Sequence, residues 1–197
     1  DLTQGEVLDT VRNAFAEKWD VVWLDPLGFG NTYAFAMRAE HARELGIERV
    51  SDLAAHSGDL VAGFDHEFTT RPEFKRFEKV YGFTFDTIKE LAPDLMYKAL
   101  QGGDVDVIDA FATDGRIPAY KLKLLEDDQG LFPPYDACIT VRAATLRRNP
   151  GLRDILGKLS GRIDRQEMQN MNFDVTDRLQ TAESVARDFL RKEGLIP

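Results

Sequence analysis

Between residues 4 and 18 apolar side chains recur at helical spacing: Val7, Leu8, Val11 and Phe15. The period then changes. Asp20-Val21-Val22-Trp23-Leu24 reads as a short buried strand, stopped by Pro26 and Gly28. Tyr33, Phe35 and Met37 alternate with alanines and predict a second strand. Ser51 has the character of a helix N-cap, and Leu60-Val61-Ala62-Gly63-Phe64 that of a buried strand. Pro72 suits the first position of a helix carrying Phe74, Phe77 and Val80, which Gly82 ends.

Pro93 opens a further helix with Leu95, Met96, Ala99 and Leu100 inward, ended by Gly102-Gly103. Strands follow at 105–108, 122–125 and 137–142. From residue 144 the pattern is helical. One helix centres on Leu152, Ile155 and Leu159, a second on Met168 and Met171, and the last runs from Ala182 to Lys192 before Gly194. Alternating strands and helices predict an α/β protein with a mainly parallel sheet. Residues 31–139 hold most strands and are expected to form one lobe. Residues 1–30 and 140–197 are expected to share another.

The chain has 197 residues, enough for one large domain or two small lobes. Its formal net charge of -9, with no basic run interleaved with aromatics, argues against nucleic acid or an anionic membrane as partner. Cys138 is the single cysteine, so no intrachain disulfide is possible. Its strand setting suits a small buried hydrophobe, and no histidine stands near it in sequence to activate it. No apolar run is long enough for a membrane span, and no signal peptide is present. The chain is therefore expected to be cytosolic, to have lost a targeting segment, or to start inside a longer protein.

Candidate chemistry is sparse. Asp25-Pro26-Leu27-Gly28-Phe29-Gly30 lacks the Lys-Ser/Thr of a phosphate loop and the dinucleotide fingerprint, and reads as a loop between lobes. His41, His56 and His66 share no metal-ligand spacing and read as surface residues. Glu126-Asp127-Asp128 lacks the EF-hand pattern and reads as an acidic turn before Gly130. No nucleophile elbow or Ser–His–Asp set is present, so an enzyme is not expected. Aromatics in loops stand out: Tyr33 after Asn31-Thr32, Phe111 before Ala112-Thr113-Asp114-Gly115, and Tyr135 after Phe132-Pro133-Pro134. Such positions suit either core packing or the wall of a crevice.

The run Trp23-Leu24-Asp25-Pro26-Leu27-Gly28-Phe29-Gly30-Asn31-Thr32-Tyr33-Ala34-Phe35 resembles a segment of a known family. It matches the substrate-binding proteins of osmoprotectant ABC transporters, which take glycine betaine, carnitine, choline or ergothioneine. The resemblance continues through His66-Glu67-Phe68 with Arg71, Ala110 to Ile117, Leu125 to Tyr135, Met168 with Asn172, and Ala186 to Leu190. It implies a type II periplasmic-binding-protein-like fold with two lobes of mixed sheets that close around a solute. It implies ligand-binding roles for Asn31, Tyr33, Arg71, Phe111, Thr113, Asp114 and Tyr135, with no cofactor and no metal. Tyr33 and Tyr135 match tyrosines of an aromatic box, Phe111 stands where tyrosine is common, and Arg71 matches a residue that grips a carboxylate. A quaternary ammonium has no N–H, so ring faces select it, at about 0.5–2 kcal/mol per cation–π contact.

The implied partners are a quaternary-ammonium solute and a membrane permease, on the periplasmic or extracytoplasmic side. A ligand-sensing module of the same fold is the alternative. Gly30 replaces an asparagine common in the family, which implies a more mobile loop. The chain is also shorter than the family's usual length. The first lobe is therefore expected to be incomplete, with self-association as a consequence.

Overall fold

The structure is a computed structural model and describes residues 3–197. The chain divides into two compact units. Unit 1 combines the segment ending at Asn31 with Pro134–Pro197, and unit 2 is the continuous segment Thr32–Pro133.

Unit 1 opens with helix α1, Gln4–Trp19. Thr3 and Glu6 form a capping box: the Thr3 hydroxyl accepts the Glu6 N–H at 3.3 Å, and the Glu6 carboxylate accepts the Thr3 N–H at 2.7 Å. Asp20, left-handed at φ 53°, stops the helix. Strand β1 then runs Val21–Gly30, well past the stop expected at Pro26. It survives the proline because its pairing register shifts on either side of it, where a missing N–H removes no ladder bond. The Pro26 and Leu27 carbonyls accept the N–H groups of Gly161 and Ile163, each at 3.0 Å. Gly28 sits at φ +122°, and a Cβ there would lie 2.7 Å from the Ile163 oxygen. The glycine-rich segment, expected as a loop, is thus a strand bulged to fit its neighbours.

In unit 2 come β2 Tyr33–Arg38, α2 Ala39–Leu45, a 3-10 helix Val50–His56, β3 Val61–Phe64, α3 His66–Thr70 and α4 Pro72–Tyr81. Then follow β4 Thr87–Glu90, α5 Pro93–Gly102, β5 Val107–Phe111, α6 Arg116–Ala119 and β6 Leu122–Leu124. Ser51 does not cap the 3-10 helix. The Asp52 carboxylate does so, taking the N–H groups of Glu48 and Arg49 at 2.9 Å, while the Ser51 N–H goes to Asp128 at 3.2 Å. The five strands lie in the order β4-β3-β5-β2-β6. β3 is parallel to β4 and β5, whereas β2 is antiparallel to β5 and β6. The sheet is therefore mixed and not mainly parallel: parallel pairing is confined to strands linked through helical crossovers.

Alternation along β2 explains the core. Tyr33, Phe35 and Met37 point to a layer with Phe64, Phe68 and Phe77, while Ala36 points to a second layer with Met96, Leu100 and Ile108. Each such large apolar side chain contributes about 1.5–3 kcal/mol of burial.

The chain re-enters unit 1 with β7 Asp136–Arg142, followed by α7 Ala143–Arg148, α8 Leu152–Gly157, α9 Arg165–Thr176 and α10 Ala182–Lys192. β7 pairs antiparallel with β1 from Gly30↔Asp136 to Val21↔Arg142. Residue 31 and residues 134–139, expected with the middle segment, fall in unit 1; β7 carries 136–139 along β1. Among the described residues, no helix is long and apolar enough to cross a membrane.

Candidate functional site

The antiparallel register of β2 and β5 sets Tyr33 directly opposite Phe111, with ring centroids 4.6 Å apart. Tyr33 is only 5% exposed, and its ring also meets Phe68 at 5.3 Å and Phe132 at 6.2 Å. Phe111, 40% exposed, forms the open side of this cluster. Phe132 is set by the acidic turn. The Asp127 carboxylate accepts the N–H groups of Leu131 at 2.9 Å and Phe132 at 2.8 Å, and also the Tyr81 hydroxyl. That turn organises a loop, as an Asx motif does.

Arg71 lies between α3 and α4. Pro72 bars the helical region to the residue before it, so Arg71 is extended at φ -73°, ψ 154°. Its guanidinium carbon stands 4.9 Å from the Tyr33 ring centroid. Its Nη1 donates to Glu67 Oε1 at 2.9 Å, and the Tyr33 hydroxyl donates to the same oxygen at 3.3 Å. Burial pushes the Tyr33 phenol up to about 12; the Glu67 carboxylate adds to this and Arg71 opposes it. Tyr33 is thus neutral at physiological pH. The group combines aromatic faces, suited to a quaternary ammonium, with a planar guanidinium, suited to a carboxylate.

Thr113 is buried just beyond Phe111. Asp114 is engaged by Arg116: its Oδ1 accepts Arg116 N–H at 2.9 Å and Nε–H at 3.0 Å, and its Oδ2 accepts Nη2–H at 2.7 Å. Burial pushes the Asp114 carboxyl up, but the Arg116 hydrogen bonds and charge outweigh it and hold the carboxyl below its usual range. Arg116 in turn stacks on Tyr97, 3.8 Å from the ring centroid, and reaches Asp94 at 3.2 Å.

In unit 1, the Asn31 N–H donates to the Tyr135 carbonyl at 3.0 Å, and Tyr135 is 41% exposed. Gly30 is part of β1 there, not of a mobile loop. A Cβ at Gly30 would lie 3.2 Å from the Tyr135 oxygen, so the glycine serves close approach of the two segments.

Unit 2 thus brings Tyr33, Arg71 and Phe111 together, with Thr113 and Asp114 following Phe111 in the chain. Asn31 and Tyr135 meet each other in unit 1. Sequence reasoning assigned no role to Glu67, Phe68 or Phe132. The spacing of Glu67 and Arg71, four residues apart, is the signal that could have found the ion pair. Cys138 is half-buried on β7, and burial, with the Asp136 charge, pushes its thiol up, away from nucleophilic character. His41 is not a simple surface residue: its Nδ1 lies 3.0 Å from Arg38 and 3.3 Å from Asp106.

Two α/β units with mixed or antiparallel sheets, one bearing an aromatic cluster faced by a guanidinium, define a solute-binding module of the periplasmic-binding-protein kind. The match extends to specific relatives. Residues 3–192 match the family model for the substrate binding domain of ABC-type glycine betaine transport systems. The carnitine transport binding protein OpuCC of Listeria monocytogenes is 37% identical over 191 residues, covering 96% of this chain and 62% of that protein. The ergothioneine transport permease/ergothioneine binding protein EgtU of Helicobacter pylori is 35% identical over 195 residues, covering 98% of this chain and 35% of that one. A crystal structure of a glycine betaine/carnitine/choline ABC transporter protein superposes with a TM-score of 0.93 at 38% identity, over 97% of this chain and 71% of the other. The chain belongs to the family of substrate-binding domains of glycine betaine ABC transport systems, a family of binders and not of enzymes. It spans 62% of the length of the carnitine-binding relative.

Proposed function

We propose that the protein captures a betaine, a solute with a quaternary ammonium and a carboxylate, and delivers it to an ABC permease at the periplasmic or extracytoplasmic face of the membrane. The observation that carries this reading is the Arg71 guanidinium over the Tyr33 ring, at the edge of an aromatic cluster that Phe111 opens. Ring faces attract the ammonium, and the guanidinium fork suits the carboxylate. Asn31, Thr113, Asp114 and Tyr135 are the further residues assigned to the ligand. Glycine betaine and carnitine meet both requirements. Ergothioneine meets them too, and the relationship to EgtU supports including it.

Calorimetric titration with glycine betaine, carnitine, choline, proline betaine and ergothioneine tests the proposal. Carboxylate-bearing ligands are expected to bind more tightly than choline. Choline binding as tightly as the best betaine, or no binding by any of the five, would refute it.

Self-association belongs to the same reading. In unit 1 the sheet has two strands, and Trp19, Ile155 and Leu179 are exposed. Two-stranded sheets are marginal alone, and exposed apolar groups favour association. Sedimentation velocity showing a monomer at all concentrations would count against it.

A further inference from the structure

Glu67 sits in the first turn of α3, and its side chain is 68% exposed. One of its oxygens, Oε1, holds two donors at once: Arg71 Nη1–H at 2.9 Å and the Tyr33 hydroxyl at 3.3 Å. These are the guanidinium and the ring on which the betaine-binding reading rests. A second carboxylate, Glu73, approaches Arg71 Nε at 3.5 Å, and its side chain is only 11% exposed.

The two acids are therefore not equivalent. Glu73 is buried in the first turn of α4, where parting from Arg71 would strand a buried charge. Glu67 parts from Arg71 at little cost, because its carboxylate regains water and an exposed ion pair contributes little. A depression of about 440 Å³, lined in part by His66, Glu67, Glu90 and Leu91, gives its side chain room to swing. Burial, with the Glu67 charge adding to it, holds the Tyr33 phenol up at about 12, so the hydroxyl stays a donor to whichever carboxylate is present.

We propose that Glu67 is a built-in competitor for the ligand: its carboxylate occupies the Arg71 and Tyr33 donors until the carboxylate of a betaine displaces it, and Glu67 thereby sets the preference between betaines and simple cations. The inference rests on the betaine-binding reading above. It predicts opposite effects on two ligands. A betaine must displace Glu67, so this acid lowers its affinity. Choline brings no carboxylate and leaves Glu67 in place, where it offsets the Arg71 charge beside the bound ammonium. Removing the Glu67 charge therefore tightens the first ligand and weakens the second. A residue that only shaped the fold would weaken both.

The test is calorimetric titration of wild type and Glu67→Gln with glycine betaine and with choline. The amide keeps the size and helix preference of the acid and removes its charge. Glu67→Gln should bind glycine betaine about two- to fivefold more tightly and choline about two- to fivefold more weakly, the scale of an exposed ion pair. Nitrogen-15 NMR of the arginine side chains gives a readout without ligand, with the Arg71 signals identified by their loss in Arg71→Lys. The Arg71 guanidinium should rotate more slowly in wild type than in Glu67→Gln.

Glycine betaine binding that is unchanged or weaker in Glu67→Gln would overturn the competition. Choline binding that is unchanged or tighter would overturn the specificity role. Equal guanidinium rotation in the two proteins would show that Glu67 does not hold Arg71, and would overturn the inference outright. Should wild type bind neither solute, the betaine reading fails by its own test, and acetate decides the competition instead. Acetate should then shift the Arg71 signals, with half-saturation at about two- to fivefold lower concentration in Glu67→Gln. Equal half-saturation, or no shift in either protein, would overturn it.

Discussion

The Arg71 guanidinium carbon stands 4.9 Å from the centre of the Tyr33 ring, so one face of that ring already carries a cation of the protein's own. On the proposed betaine-binding reading, a ligand that meets this pair uses the guanidinium through a carboxylate, which a simple cation lacks. On that reading, specificity between zwitterions and cations rests on Arg71.

Arg71→Ala is expected to weaken glycine betaine by about 1.5–3 kcal/mol, the scale of a hydrogen bond to a charged group. Choline has no carboxylate to lose and should change much less. Arg71→Lys should recover only part of the loss, since an ammonium lacks the bidentate fork. Equal losses for both ligands in calorimetry would show that Arg71 supports the fold and not the carboxylate.

The two tyrosines assigned to the ligand differ in burial, 5% exposed for Tyr33 against 41% for Tyr135, and their variants should differ accordingly. Tyr33→Ala opens a cavity in the aromatic layer and is expected to cost about 3–5 kcal/mol of stability, besides any loss of binding. Tyr33→Phe gives up one long hydrogen bond to Glu67 and should cost about 1 kcal/mol or less. Tyr135→Ala should change stability by no more than about 0.5 kcal/mol while still weakening the ligand, as Tyr135→Phe should not. Paired urea denaturation and calorimetry separate the two effects; a strongly destabilised Tyr135→Ala would assign that ring to packing.

Asp127 is expected to matter for stability more than its place in an acidic turn indicates. Asp127→Ala leaves the N–H groups of Leu131 and Phe132 and the Tyr81 hydroxyl without their acceptor. Each buried orphan costs about 1–3 kcal/mol, so a loss of at least about 2 kcal/mol is expected in urea denaturation. A loss within about 0.5 kcal/mol would show that water replaces the carboxylate without penalty.

Elements with a strong period were legible in the sequence. α10 runs from Ala182 to Lys192 as its pattern predicts, and α4 starts at Pro72 and is stopped by Gly82. β4 was not legible, because Thr-Ile-Lys-Glu at a sheet edge is exposed throughout and shows no alternation. β1 was misread because Pro26 and Gly28 are strand breakers by composition, and only the bulged pairing with β7 accommodates them. At the site, residue types were visible but partners were not. The family resemblance gives Asp114 a ligand-binding role; the three bonds it accepts from Arg116 were not visible, because that contact depends on a turn only the fold reveals.

The Asp114–Arg116 pair gives a prediction whose sign can be worked out. Burial raises the Asp114 carboxyl, but the Arg116 hydrogen bonds and charge prevail and hold it below its ordinary value. A carboxylate whose folded pKa is depressed contributes stability that is fully present above the unfolded value, about 3.9, and is lost as pH falls through the folded one. Asp114→Asn should therefore be less stable than wild type at neutral pH, by about 1.5–3 kcal/mol for a charge-assisted bond replaced at a half-buried guanidinium. The difference should shrink as pH falls below about 4, where the carboxyl of the unfolded chain takes up its proton before that of the folded chain does. Arg116 would keep its stacking on Tyr97 and its contact with Asp94, which limits the loss. Melting temperatures of the two proteins from neutral to acid pH check this. A gap that stays constant as pH falls would show that Asp114 acts through packing, and that its charge adds nothing to the fold.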